Sequence, residues 1–167
     1  MAQLYFTRAG AERIQKQKEE LVKKLQNTQS RQGEAAEVGG NVWHDNFSFE
    51  QLKREEQMLN QQISEINDKM RNMLVLDRVA TDTSRLRIGH VALLEIDGEK
   101  ELQAYQIGGF EDFNPDSNPR VVSYLAPLVA QLIGEKTGHA VFVETGRSET
   151  RKVTLLEIWF PSQGGKS

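Results

Sequence analysis

Residues 49–73 read FEQLKREEQMLNQQISEINDKMRNM, and this stretch decides the fold. Its apolar residues recur at alternating steps of three and four, which is the heptad pattern of a helix that packs against another helix along one stripe. Glu56 is the one charged interruption of that stripe. The pattern predicts a long helix from about Phe47 to Leu76. The apolar residues of the stripe are Phe49, Leu52, Leu59, Ile63, Ile66, Met70 and Met73.

A second long helix is predicted upstream, from Thr7 to about Val38. Thr7 stands where an N-cap belongs, and no proline interrupts the span. Gly39–Asn46 between the helices is irregular, and its glycine pair suits a turn. Two helices of roughly 30 residues joined in this way fold back as an antiparallel hairpin roughly 45 Å long. A dimerisation coiled coil is the structural alternative. The stripe of the upstream helix consists of Ile14, Leu21, Leu25 and Thr28, with Lys18 interrupting it.

After residue 87 the periodicity changes from the spacing of helices to the alternation of strands. Asp97-Gly98 is a strong hairpin signal between two alternating runs. Pro127–Ile133 reads as a short amphipathic helix that ends before Gly134. The predicted fold class is therefore α+β: an N-terminal coiled-coil hairpin at 1–78 with its tip at 39–46, a small C-terminal sheet domain at 81–161, and a tail at 162–167. Strands are predicted at 88–96, 101–107, 120–123, 139–144 and 152–160.

The composition favours a protein partner over free-standing binding to nucleic acid. The 167 residues carry a formal net charge of -3, whereas proteins that hold nucleic acid through its phosphates are usually basic. Without cysteine there is neither a disulfide nor a thiolate metal site. No apolar run approaches the roughly 20 residues of a membrane helix, and no secretory signal opens the chain, so we expect a cytoplasmic protein without membrane contact. Common catalytic motifs are also missing, which predicts no independent enzyme site.

Three stretches of this sequence resemble the Gre family of bacterial transcript-cleavage factors. Thr7-Arg8-Ala9-Gly10 is similar to the opening of the family. Asp45-Asn46-Phe47-Ser48-Phe49 is similar to its acidic tip and the start of its second helix. The most specific stretch is Ala126–Gly134, which resembles the Pro-containing hydrophobic helix of the family's C-terminal domain and the glycine that follows it. The resemblance covers nearly the whole chain.

The resemblance implies how such a protein acts. The hairpin would precede an FKBP-like domain that docks on RNA polymerase through Ala126, Pro127 and Leu128. The hairpin would enter the secondary channel of the polymerase and bring its tip to the active centre, near the 3′ end of the nascent RNA, with only indirect contact to DNA. The chain would hold no cofactor alone and would not be an enzyme. At most it would add a carboxylate to the polymerase's own Mg²⁺-dependent RNA cleavage.

In active members of the family, two acidic residues at the tip help to hold that Mg²⁺. Asp45 stands at the second acidic position, whereas the first falls on Gly40, Asn41 or Val42, none of which carries charge. The resemblance therefore implies weak stimulation of cleavage through Asp45 as a shared metal ligand. Asp45 is also a candidate N-cap or first-turn charge for the second helix. The alternative within the family is full cleavage activity with Glu37 as the helper acid.

The remaining tip residues have two interpretations each. His44 is a candidate metal ligand or an ordinary polar surface residue. Trp43 is a candidate for stacking on a base or for packing on its own loop, and Asn46 follows the acid. Two further functions stay open: an inhibitor that occupies the channel without stimulating cleavage, and a coiled-coil adaptor unrelated to transcription. Ala126 replaces a serine of the family, which would alter the capping of the docking loop.

Overall fold

The computed structural model describes residues 2–38, 43–146 and 148–161, without the side chains of residues 37, 38 and 43–46. The chain forms two compact units. The first comprises Met1–Leu4 and Ala11–Leu74, and the second comprises Tyr5–Gly10 and Val75–Ser167. In the described ranges, no helix combines the length and the apolar character that a membrane crossing requires.

Two long helices account for most of the first unit. α1 spans Arg8–Val38 and α2 spans Trp43–Arg71. The N-cap predicted at Thr7 is confirmed, because the Thr7 Oγ1 accepts a hydrogen bond from the backbone N–H of Gly10 at 3.1 Å. This bond satisfies one of the N–H groups that the first turn of a helix leaves without an intrahelical partner.

The two helices pair with each other and run antiparallel. The Thr28 Oγ1 donates a hydrogen bond to the Glu55 Oε1 at 3.0 Å. Farther along α1, the Gln32 Nε2 donates to the backbone oxygen of Leu52 at 3.1 Å, and Leu52 lies earlier in α2 than Glu55. Because the order of partners is reversed between the helices, the predicted intramolecular hairpin is confirmed.

The predicted stripes form the interface of this hairpin. In each helix, three buried side chains of the stripe are spaced seven residues apart, which is the heptad spacing. Lys18, the interruption in the first stripe, is half-buried. Leu25, Phe49, Ile63 and Met70 are also half-buried beside the seam. The buried residues are Ile14, Leu21 and Thr28 in α1 and Leu52, Leu59 and Ile66 in α2.

Glu56, the charged interruption of the second stripe, is accommodated by hydrogen bonds across the hairpin. Its Oε1 accepts from the Gln29 Nε2 at 3.1 Å, and its Oε2 accepts from the Gln32 Nε2 at 2.9 Å. The bond from Gln29 and, to a smaller extent, the bond from Gln32 hold the pKa of the Glu56 carboxyl below its ordinary value. A polar layer thus replaces one apolar layer of the seam.

Both ends of α2 differ from the prediction. The helix begins at Trp43 rather than near Phe47, so the irregular stretch predicted up to Asn46 is wrong for its last residues. Neither glycine nor proline follows Gly40 in that stretch, so its sequence does not oppose a helix. As a consequence Asp45 lies inside the first turn and is not the N-cap.

The C-terminal end of α2 was predicted five residues too late, at Leu76 instead of Arg71. Residues Met73–Leu76 form strand β2, which pairs with β1, Leu4–Thr7, in a two-stranded sheet. The Leu4 N–H donates to the backbone oxygen of Asn72 at 2.8 Å. The heptad position of Met73 was misleading, because a strand partner far away in the sequence outweighs local helical spacing.

The second unit is built on a five-stranded sheet in the order β5-β4-β3-β7-β6. Its strands are antiparallel except for the parallel pair of β4 and β5. All five predicted strands are present, the one at 120–123 with the predicted ends and the other four with shifted ends. Gly98 in the predicted hairpin turn has a φ of +89°. The strands are β3 (Val91–Ile96), β4 (Gln103–Gly108), β5 (Arg120–Ser123), β6 (Ala140–Glu144) and β7 (Thr150–Trp159).

The predicted helix at Pro127–Ile133 is wrong in type and length. It is a run of turns followed by a 3₁₀ helix, Ala130–Leu132. Val129 and Leu132 are both 0% exposed, and a spacing of three residues brings side chains to the same side of a 3₁₀ helix. Val129 (φ −121°, ψ −14°) and Ile133 (φ −62°, ψ 126°) have non-helical backbone angles, so the helix between them is limited to a single turn. Gly134, with a φ of +85°, follows the helix as expected.

Candidate partner-binding surface

The segment predicted to dock on a partner, Ala126-Pro127-Leu128, is held by its own backbone. We call it the docking segment. The Ala126 N–H donates to the Ser123 carbonyl at 2.9 Å. The Ala126 carbonyl in turn accepts from the N–H groups of Val129 and Ala130 at 3.0 and 2.9 Å. Ala126 therefore links the segment to strand β5 through its N–H and to the start of the 3₁₀ helix through its carbonyl.

Its side chains combine an exposed apolar surface with a buried anchor. Pro127 is exposed, and the preceding Leu125 is 51% exposed. Ala126 and Leu128 are half-buried and pack against the core of the second unit. Val129 directly after them is fully buried. A rigidly supported apolar surface of this kind is suited to contact with another protein.

The serine that the family places at position 126 has a partial counterpart nearby. The Ser123 Oγ accepts a hydrogen bond from the N–H of Leu125 at 3.3 Å. A hydroxyl from the end of β5 thus caps the turn that leads into the docking segment. This bond lies before position 126 and therefore does not replace a cap at that position.

Tyr124, two residues before the docking segment, contacts the N-terminal strand. The Tyr124 hydroxyl accepts the backbone N–H of Tyr5 at 3.2 Å, and the two rings meet edge to face with centroids 5.7 Å apart. Sequence reasoning missed strand β1. The run Leu4-Tyr5-Phe6-Thr7, rich in strand-forming residues ahead of the N-cap, was the available signal.

A buried carboxylate fixes this strand to the second unit. Asp112 is 7% exposed, and its Oδ2 accepts from the N–H of Gly109 and from the Thr7 hydroxyl, both at 2.8 Å. Gly109 leaves no room for a side chain, because a Cβ there would lie 2.7 Å from the Thr7 nitrogen and 3.0 Å from the Tyr5 oxygen. Residues 5–10 consequently belong to the second unit, whereas the predicted first domain, 1–78, included them.

The predicted tip lies largely outside the described residues. Asn41 and Val42 fall in the undescribed gap. For the next four residues the backbone places the first turn of α2, and their side chains are outside the description. The role of Asp45 as a shared metal ligand therefore stays a prediction. The four residues are Trp43, His44, Asp45 and Asn46.

Across the ranges that the structure describes, no group of three or more His, Asp or Glu side chains is arranged to hold a metal ion. The first helix carries exposed basic residues interleaved with acidic ones, and one such acid, Glu19, accepts a hydrogen bond from the Gln15 Nε2 at 3.2 Å. This arrangement is typical of a solvated helix face.

Comparison with known proteins identifies relatives over more than nine-tenths of the chain. The family described as "Transcription elongation factor, GreA/GreB, C-term" matches residues 81–160. Transcription elongation factor GreA of Roseiflexus castenholzii is 30% identical over 154 residues, which are 92% of this chain and 96% of that protein. GreA of Nitratiruptor sp. is 27% identical over 156 residues, 93% of this chain and 92% of its own length.

Solved structures with a similar chain course include the GreA factor homolog 1 (Gfh1) protein of Thermus thermophilus. It is 22% identical, the match covers 93% of this chain and 98% of that one, and the TM-score is 0.43. A GreA/GreB elongation factor from Nitrosomonas europaea is 11% identical, with 96% and 100% of the two chains covered and a TM-score of 0.40.

Proposed function

This chain belongs to the GreA/GreB family of transcription elongation factors, and from that premise we propose that it binds bacterial RNA polymerase and inserts its hairpin into the secondary channel. There it modulates the polymerase's own RNA cleavage and stimulates it weakly. The second unit docks on the polymerase, and the tip of the hairpin approaches the 3′ end of the RNA.

The pairing of α1 with α2 inside one chain carries this proposal. The bonds from Thr28 to Glu55 and from Gln32 to Leu52 close the seam within the molecule, so the buried stripe is not offered to a second chain. A coiled-coil adaptor would need that stripe, or another apolar face, for its partner. An internally closed hairpin instead suits insertion into a narrow channel.

The lengths of the helices support such an insertion. α1 has 31 residues and α2 has 29. At about 1.5 Å of rise per residue they extend about 46 and 44 Å. A pair of helices this long, with few apolar residues outside its seam, is stable in a wet channel because its outer faces remain solvated.

The docking segment supports the assignment of the second unit as the polymerase-binding part. Pro127 and Leu125 expose apolar surface, while the backbone bonds of Ala126 hold that surface in one conformation. Preorganisation of this kind reduces the entropy lost when a partner binds. In this proposal the contact therefore requires little rearrangement of the segment.

At the tip, Asp45 supplies one carboxylate to a Mg²⁺ ion held mainly by the polymerase. Mg²⁺ takes oxygen ligands, so the neighbouring His44 contributes little to its binding. With one acid instead of two, the metal is held less well, and cleavage is weaker than with a two-acid family member. Occupation of the channel without cleavage is the second candidate function, favoured by the uncharged residues at positions 40–42.

The test uses arrested elongation complexes, scored for cleavage from the RNA 3′ end at equal occupancy of the factor. We expect weak stimulation by the wild type, loss of stimulation in Asp45→Ala with binding intact, and loss of binding in Pro127→Asp. Glu50→Ala, an exposed acid on the same helix, is the matched control and leaves cleavage unchanged. Absence of any binding to core polymerase would refute the proposal. Binding without cleavage in the wild type would establish the channel-occupying alternative.

A further inference from the structure

The second unit contains an open cavity of about 580 Å³ that its docking role does not explain. All of its lining residues belong to the second unit, including Tyr5 from the N-terminal strand. Four aliphatic side chains and two tyrosines give it an apolar wall. Its volume lies within the range of about 300–1,000 Å³ that is usual for small-molecule sites. The aliphatic residues are Leu76, Ile88, Leu125 and Ile133.

A buried histidine fixes one wall of the cavity. His90 is 0% exposed, and its Nε2 lies 2.6 Å from the carbonyl of Ala80, a lining residue. Its Nδ1 accepts the backbone N–H of Arg87, another lining residue, at 3.1 Å. Because Nδ1 is an acceptor here, the proton is assigned to Nε2, which donates to Ala80. One imidazole ring therefore holds two points of the wall in place.

The chain around His90 has little freedom to move. Gly89 has a φ of +96°, and a Cβ at this position would lie 2.5 Å from the Val79 Cγ2. The N–H of Gly89 donates to the Ile107 carbonyl at 2.7 Å, and the N–H of Gly134 donates to the Leu86 carbonyl at 2.7 Å. The wall is thus tied to the central sheet and to the end of the 3₁₀ helix, so the cavity is preformed.

The two tyrosines are held in a defined orientation. Tyr5 and Tyr124 meet at an interplanar angle of 76°, and the Tyr124 hydroxyl accepts the Tyr5 backbone N–H. Aromatic side chains fixed in this way present a ring face or edge against which a planar ligand packs. Few rotatable bonds are left to be restrained when such a ligand binds.

The charged side chains that line the cavity are both cationic. Arg78 and Arg87 line it, and its other eight lining residues include no acid. Within the described residues Arg78 has no hydrogen-bond or ion-pair partner. Asp82 does not line the cavity, although its carboxylate interacts with Arg87: its bonds to Ser84 and then the charge of Arg87 hold its pKa below the ordinary value. Two guanidinium groups beside an apolar aromatic wall complement a ligand that joins a flat ring to an anionic group.

We propose that this cavity binds a small aromatic anion, with its ring against the tyrosines and the aliphatic wall and its phosphate or carboxylate group at Arg78 and Arg87. Leu125 and Ala130 line the cavity and flank the docking segment. A bound ligand therefore also weakens docking on the polymerase, and this second effect rests on the proposed function.

The binding test uses the full-length protein and a matched pair of probes. 1-Anilinonaphthalene-8-sulfonate carries a sulfonate, and N-phenyl-1-naphthylamine is the same ring system without it. We expect saturable 1:1 binding of the sulfonate probe and at least tenfold weaker binding of the neutral one. Arg78→Gln and Arg87→Gln should each weaken binding of the sulfonate probe by about fivefold. Arg120→Gln, at an exposed position outside the cavity, is the control and should leave it unchanged.

Several results would overturn this inference. They are equal binding of the two probes, absence of saturation, or equal affinity of the two cavity variants and the control. Melting curves establish that each variant is folded before it is compared. The chemical class of the natural ligand is then identified by displacement of the probe. Displacement by adenosine monophosphate indicates a nucleotide, and displacement by indole-3-acetate indicates an aromatic carboxylate. Displacement by neither compound would reject the proposed ligand class.

A separate measurement addresses docking. Affinity for core polymerase is measured with and without a saturating concentration of the displacing compound. An unchanged affinity would show that the bound compound does not weaken docking, while the proposal that the cavity binds it would stand. Failure to bind polymerase even without the compound would refute the proposed function, while the probe measurements on the protein alone would stand.

Discussion

Removal of the Asp112 carboxylate should detach the N-terminal strand from the second unit. Asp112→Ala leaves the buried N–H of Gly109 without a partner, and an unsatisfied buried donor costs about 1–3 kcal/mol. The Thr7 hydroxyl also loses its acceptor, and a hydrogen bond to a charged group contributes about 1.5–3 kcal/mol. Because Thr7 is only partly buried, water replaces some of that bond, and we expect a total loss of about 3 kcal/mol.

The assay is urea unfolding followed by tryptophan fluorescence in a Trp43→Phe background. This background leaves Trp159 in the second unit as the single reporter, since the chain has two tryptophans. Asp112→Asn keeps one acceptor oxygen and should lose less stability than Asp112→Ala. Thr7→Val removes the hydroxyl alone, and the double variant should show a coupling of about 1 kcal/mol between the two sites.

A loss below about 1 kcal/mol in Asp112→Ala would refute the anchoring role of the carboxylate, because it would equal an ordinary surface substitution. The same conclusion would follow if Thr7→Val and Asp112→Ala were additive. Additive effects would mean that the two groups, although 2.8 Å apart, stabilise the fold separately.

Three further predictions concern the hairpin and the docking segment. The pKa of Glu56 is lowered in the folded state, so its stabilising effect is present above the ordinary glutamate pKa and disappears as the pH falls through the lowered one. Helical circular dichroism should therefore decline on acidification more in the wild type than in Glu56→Gln; parallel declines would contradict this. Asn41→Asp or Val42→Asp should raise stimulation of RNA cleavage at equal occupancy, and combining either change with Asp45→Ala should abolish that gain. If neither substitution raised cleavage, the missing acid would not be what limits the activity. Pro127→Asp should weaken polymerase binding at least tenfold with an unchanged melting temperature, and unchanged affinity would place docking elsewhere.

Elements whose residues interact locally were predictable from the sequence. Helical periodicity and capping depend on residues that are close in the sequence. The heptad stripes therefore located the hairpin, and Thr7 marked the start of α1. The strands around Asp97-Gly98 followed from alternation and turn chemistry for the same reason. The docking segment was located by its resemblance to a family, and no periodicity in its own residues identified it.

Elements that depend on distant partners could not be predicted in this way. Met73 continues the helical stripe in sequence, yet it forms a strand because Leu4–Thr7 supplies a partner about 70 residues away. The hydrogen bond of Asp112 could not be predicted for the same reason, because its donor, the Thr7 hydroxyl, is distant in the sequence. At Pro127–Ile133 the sequence showed an amphipathic pattern, whereas the non-helical backbone angles of Val129 and Ile133 limit the structure to a single 3₁₀ turn.

The boundary of the second unit therefore does not coincide with the point where the sequence periodicity changes. A fragment of residues 81–161 would contain the whole docking segment but not Tyr5, whose N–H is bonded to Tyr124, nor Thr7, whose hydroxyl is bonded to Asp112. Gly109 would also lose the backbone of β1 that now covers it. Weak binding by such a fragment would report the loss of this support and not the absence of a docking site. Substitution of Pro127 in the full-length chain separates these two causes, because it alters the exposed surface and leaves the buried contacts of β1 in place.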